Sequence, residues 1–133
     1  MTAKEYLLRA YRIDQRINSK IEQLTMLRGL SKIMARAAGG RQTEGIAEKM
    51  AELEAGINED IETLVDFKQE TANAIKKISD AGQQTLLELR YLCYKPWERI
   101  AEEMNYSVDN VFRMHRRALE SVAAVLTLQQ NQL

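Results

Sequence analysis

Along the first third of the chain, apolar residues recur at Tyr6, Ala10, Ile13, Ile17, Leu24, Leu27, Leu30 and Met34, with Ile21 beside them. This three-and-four spacing, held for about four heptads, predicts a long amphipathic helix. Thr2 and Glu5 stand three apart as a capping box, so the helix is expected to begin there. It is expected to end at ARAAGGRQT, where Gly39 and Gly40 supply the positive φ of a tight reversal and Thr43 can cap a second helix. That second stripe runs Ile46, Met50, Leu53, Ile57, Ile61, Leu64, Phe67, Thr71, Ile75, Ile78. Two long helices joined by so short a connection fold back as an antiparallel, coiled-coil-like pair, each roughly 50–55 Å long. Leu7, Leu8, Tyr11, Met26 and Ile33 fall outside the stripe and need a further partner, either the C-terminal residues or a second copy of the chain.

The pattern changes at Asp80. Asp80 with Gln83 repeats the cap spacing, and QQTLLELRYLCY reads as a helix burying Leu86, Leu87, Leu89, Tyr91 and Leu92. Pro96 breaks it and suits the first turn of a short helix, PWERIAEEM, whose inner face is Trp97, Ile100, Ala101 and Met104. Asn105, Tyr106 and Ser107 form a three-residue turn, because Asn tolerates the left-handed conformation and Ser can cap the next helix. That last helix, VDNVFRMHRRALESVAAVLTL, buries Val111, Met114, Ala118, Val122 and Val125. A short helix, a three-residue turn and a longer helix make a helix-turn-helix, with small Ala101 where the two helices cross. The expected fold class is therefore all-α, with residues 1–79 a two-helix hairpin for oligomerisation and residues 80–133 the helix-turn-helix module.

Composition supports helix throughout, since Gly occurs six times and Pro once in 133 residues. The net charge is zero, but it is unevenly spread. Residues 1–41 hold nine basic against three acidic groups and residues 42–79 four against nine, so the two hairpin helices carry opposite signs and can pair across their seam. The row Arg9, Arg12, Arg16, Lys20 could also touch phosphates, although such a row is usually a solvated face. Cys93 is the one cysteine, so it has no internal disulfide partner, which fits a reducing compartment, and its place in an apolar run predicts a small core residue rather than a reactive thiol. Neither a secretory leader nor a run of ~20 apolar residues is present, so a soluble, cytoplasmic protein without membrane contact is expected. His115 has no second His, Cys or acid at ligand spacing, so no metal is expected and a surface or network role is. Without a phosphate loop, paired carboxylates or a nucleophile triad, neither an enzyme nor a cofactor is expected.

The run LLELRYLCYKPWERIAEEMNYSVDNVFRMHRRALESV resembles region 4 of sigma-70-like transcription factors over about forty residues. The resemblance lies in LLELRYL, in Trp97, Glu98, Ile100, Ala101, Glu102 and Met104, in the Ser107 cap, and in Val111, Met114, Ala118, Leu119 and Val122. With its preceding hairpin, the whole chain looks like small phage and prophage proteins related to ArpU-type late transcriptional regulators. The resemblance implies duplex-DNA binding and late-gene transcription control. It maps the reading surface onto Ser107, Val108, Asp109, Asn110, Phe112, Arg113, Arg116 and Arg117. Val108 and Phe112 stand where sigma-type helices often carry Arg, and they are expected either to touch thymine methyls or to pack internally. Arg113, Arg116, Arg117, Lys95 and Arg99 are the expected phosphate contacts, giving a salt slope of about −4 per protomer. A homodimer is expected, with half-sites near 34 Å apart. Rival expectations are docking on RNA polymerase and a phage DNA-packaging adaptor.

Overall fold

The computed structural model describes residues 1–38 and 44–131, and every element among them is helical: α1 (Ala3–Ala38), α2 (Glu44–Lys76), α3 (Ala81–Leu87), a π-helical turn (Glu88–Leu92), α4 (Trp97–Met104) and α5 (Val108–Asn131). The reversal expected at Gly39 and Gly40 and the cap expected at Thr43 lie outside the described residues. No helix among the described residues is long and apolar enough to cross a membrane. The chain divides into two compact units, Arg12–Val65 and Met1–Tyr11 with Asp66–Leu133. The second unit thus takes in stretches of α1 and α2 that the hydrophobic pattern alone assigns to the hairpin.

Within Arg12–Val65, the buried apolar residues are Ile13, Ile17 and Leu24 on α1 and Leu53 on α2. Lys20 pairs with Asp60 at 2.7 Å and Arg28 with Glu54 at 3.4 Å, so later residues of α1 meet earlier residues of α2 and the two segments run in opposite directions. The expected charge complementarity is realised here. Arg16 also reaches Asp60, at 3.8 Å. Gly56 leaves room for this arrangement, because a Cβ there would stand 3.1 Å from the Lys20 ammonium on its way to Asp60.

The stripe is narrower than the spacing suggested. Leu30 is 49% and Ile61 43% exposed. Ile17 and Leu24 are seven residues apart and share a face, whereas Leu30 lies six beyond Leu24, which turns it a third of a revolution away at ~100° per residue. The same arithmetic gives the seam position after Leu53 to Asp60, which is buried, rather than to Ile61.

In the other unit, Thr2 and Glu5 form the expected reciprocal cap, with Glu5 N donating to Thr2 Oγ1 at 3.1 Å and Thr2 N to Glu5 Oε2 at 3.3 Å. Leu7, expected outside the main stripe, is fully buried in one core with Ile75, Leu86, Leu87, Tyr91, Ile100, Val111, Ala118 and Val122. Its partner is the C-terminal module, and Leu8 packs on the same core. Burying a side chain of this size contributes about 1.5–3 kcal/mol. Arg9 bonds Glu70 at 2.7 Å and lies over the Tyr6 and Phe67 rings, so it is committed to the fold rather than to solvent. The Gln84 amide donates to the carbonyl of Ile78 at 2.8 Å and closes the end of α2.

The helix expected from Gln83 through Tyr94 departs from α geometry after Leu87. Cys93 N donates to Glu88 O at 3.0 Å, five residues back, and Lys95 N to Leu89 O at 3.0 Å. Leu89 and Leu92 end half-buried and Cys93 exposed rather than in the core, since at ~100° per residue none of the three shares the face of Leu86, Leu87 and Tyr91. The wider turn unwinds the helix ahead of Pro96, whose ring disfavours helical geometry at Lys95. Arg90 then fixes the exit, donating to Lys95 O at 2.9 Å while its guanidinium lies 4.3 Å from the centre of the Trp97 ring.

Candidate functional site

The segment from Trp97 to Arg117 is built by local rules that the sequence states openly. Asn105 ends α4 in the left-handed conformation, φ 62° and ψ 41°. Tyr106 N donates to Ala101 O at 3.0 Å and Asn105 N to Glu102 O at 3.2 Å, the paired six-to-one and five-to-two bonds of a Schellman stop. Ser107 then opens α5, its Oγ accepting from Asn110 N at 3.2 Å. Ala101 and Val111 are both buried at the crossing, and Ile100 and Ala118 lie beneath them in the same core. Ser121 donates to Gln83 Oε1 at 2.6 Å and ties α5 to α3. The turn is thereby held between two anchored helices, which fixes what the first turns of α5 present.

That outer surface carries Asp109, Asn110, Phe112, Arg113, Arg116 and Arg117, all exposed, with Ser107 at its start. Arg113, Arg116 and Arg117 are spaced three and four apart and so share one face. Among the described residues none of the three guanidinium groups is in an ion pair. Arg113, Arg117 and Asn110 line a shallow cleft of about 280 Å³ together with Asp80, Gln83 and Tyr106. Val108 and Phe112 divide the two alternatives left by the sequence. Val108 is half-buried against the core, whereas Phe112 keeps 41% of its surface exposed while its ring sets edge-on to Trp97 at 5.4 Å.

Lys95 and Arg99 stand apart from this face. Glu103 accepts from Lys95 Nζ at 2.6 Å and from Arg99 Nε at 3.3 Å. The Lys95 hydrogen bond, then that of Arg99, holds the Glu103 carboxyl below its ordinary range. Both cations are therefore partly neutralised within the chain, unlike the three arginines of α5. The i,i+4 spacing of Arg99 and Glu103 was readable in the sequence, whereas the arrival of Lys95 from the preceding loop was not.

His115 is 8% exposed, so of the surface or network roles expected for it the structure selects the network. Its Nε2 lies 2.6 Å from the Tyr91 hydroxyl, and the Trp97 ring sets edge-on to it at 4.6 Å. Burial, reinforced by the Lys4 and Arg90 charges, brings the imidazole down to about 4, and burial pushes the Tyr91 hydroxyl up to about 12. Both groups are thus neutral near pH 7, and His115 adds no charge between Arg113 and Arg116. Its place was legible, because 111, 115, 118 and 122 repeat the four-three-four spacing of the buried face. Compared with family models, curated proteins and solved structures, the chain matches none of them.

Proposed function

We propose that this protein is a non-enzymatic DNA-binding regulator of transcription, of phage late-gene type, in which α4, the turn and α5 act as a helix-turn-helix. The observation that carries the reading is the α5 face itself: three arginines on one side of a capped helix, exposed and without internal ion pairs among the described residues. Cations left in that state are suited to phosphate oxygens, whereas cations already paired must first break an interaction. Asn110, one turn before Arg113, is positioned to address an adenine edge, and the free side of Phe112 to meet a thymine methyl. Val108 serves packing, and Ser107 and Asp109 belong to the helix start. Lys95 and Arg99 become secondary contacts because Glu103 already holds them.

Three phosphate contacts per protomer predict log affinity falling with log salt at a slope of about −3, shallower than five free cations would give. Two protomers on a two-fold site double the contacts, so the reading includes a homodimer. Fluorescence titration against random duplex at low salt, for the native chain and for the Arg113/Arg116/Arg117→Ala variant, tests it. The native chain should bind with that slope and the variant should lose most of the affinity. Equal binding by the two proteins refutes the assignment.

A further inference from the structure

Three large apolar side chains of α1 project away from the rest of their own unit: Met26 is 69%, Leu30 49% and Ile33 63% exposed. They succeed one another at spacings of four and three, so they share a face, turned a third to half a revolution from buried Leu24. Single exposed apolar residues are ordinary, but a contiguous patch at coiled-coil spacing marks a docking surface for another helix. The flanking charges select the occupant. Glu22 and Arg36 lie at equivalent positions along one flank of this face, two heptads apart with Gly29 midway, and among the described residues neither is in an ion pair.

We propose that this face binds the same face of a second copy of the chain, with the two α1 helices antiparallel about a two-fold axis beside Gly29. In that register Met26 meets Leu30 of the partner subunit and Glu22 meets Arg36 of the partner subunit, each contact occurring twice. A parallel pairing would instead set this flank against the other edge of the partner's face, where Leu27 and Met34 offer no charge to answer Glu22 or Arg36. Gly29 suits the axis, since a Cβ there would find nothing within 4 Å inside its own chain and the bare backbone admits close approach. Three side chains from each copy make an interface smaller than the ~1,200 Å² of standard complexes, so the dimer is expected to be no tighter than about 1 µM. This dimer contact does not depend on α5 binding nucleic acid.

Sedimentation velocity of the full chain, from about 1 to 200 µM at low salt, provides the test, with circular dichroism confirming that each variant keeps its helices. A monomer–dimer equilibrium is expected, weakened at least about thirtyfold by Ile33→Asp, which places two charges in the contact. Glu22→Arg and Arg36→Glu should each weaken self-association by roughly tenfold, and an equimolar mixture of the two should restore it, because only the mixed antiparallel pair regains both attractions. A chain that stays monomeric throughout, association indifferent to Ile33→Asp, a mixture no better than either variant alone, or larger closed rings would each overturn the proposal.

Discussion

The one histidine of the chain makes a single-residue test of the core possible. His115 is buried, bonded to the Tyr91 hydroxyl at 2.6 Å, and held down to about 4 chiefly by burial. An unfolded imidazole titrates near 6.5. Above pH 6.5 both states are neutral and the full stability is present. Between 6.5 and 4 the unfolded chain takes up a proton that the folded one refuses, so stability falls as pH falls. Below 4 both states are protonated and the dependence levels off. At about 1.4 kcal/mol per unit, the shift corresponds to a loss of at most about 3 kcal/mol between pH 7.5 and 4, a large share of a small domain's stability. Urea unfolding at pH steps across that window, for the native chain and His115→Gln, isolates the contribution, since the carboxylates are common to both. The difference between the two proteins should shrink by about 3 kcal/mol as the pH drops. Parallel curves, or an imidazole resonance in the folded chain titrating at 6 or above, would show that the residue is not held neutral by its surroundings.

Thr71 is fully buried and its hydroxyl has no hydrogen-bond partner among the described residues, so Thr71→Val should stabilise the protein by about 1 kcal/mol, and a lowered Tm would contradict this. Asn105 holds φ 62° at the end of α4. There Asn105→Ala should cost about 1 kcal/mol while Asn105→Gly costs little, a contrast read by denaturant midpoint. Glu103→Gln should release Lys95 and Arg99, tightening duplex binding and steepening the salt slope from about −3 toward −4 or −5; an unchanged slope would place both cations away from the phosphates.

Much of the chain was legible because its signals are local. The caps at Thr2, Asp80 and Ser107 bond as their spacing requires, and Asn105 adopts the left-handed stop that its side chain tolerates. These depend on residues three or four apart, and helix geometry fixes such neighbours wherever the helix lies. The inner faces of α4 and α5 could be read from periodicity for the same reason. Leu30 and Ile61 show where periodicity misleads, since a run of threes and fours drifts off the seam unless its phase is tracked residue by residue. For the candidate site, the sequence placed the exposed arginines of α5 on one face, but it could not separate them from Lys95 and Arg99, whose charge is answered by Glu103 across a loop.

By itself, then, the sequence determined the helices, their caps and turns, the opposite signs of α1 and α2, and the stretch of chain in which the outer face of α5 would lie. Only the tertiary structure decided that Leu7 belongs to the C-terminal core, that the helix after Leu87 widens before Pro96, that His115 is neutral against Tyr91, and which cations remain unpaired. The division has one physical cause. Backbone geometry and capping are set by neighbours within about one helical turn, whereas burial, pKa and charge pairing are set by residues far apart in sequence that meet only once the chain has folded.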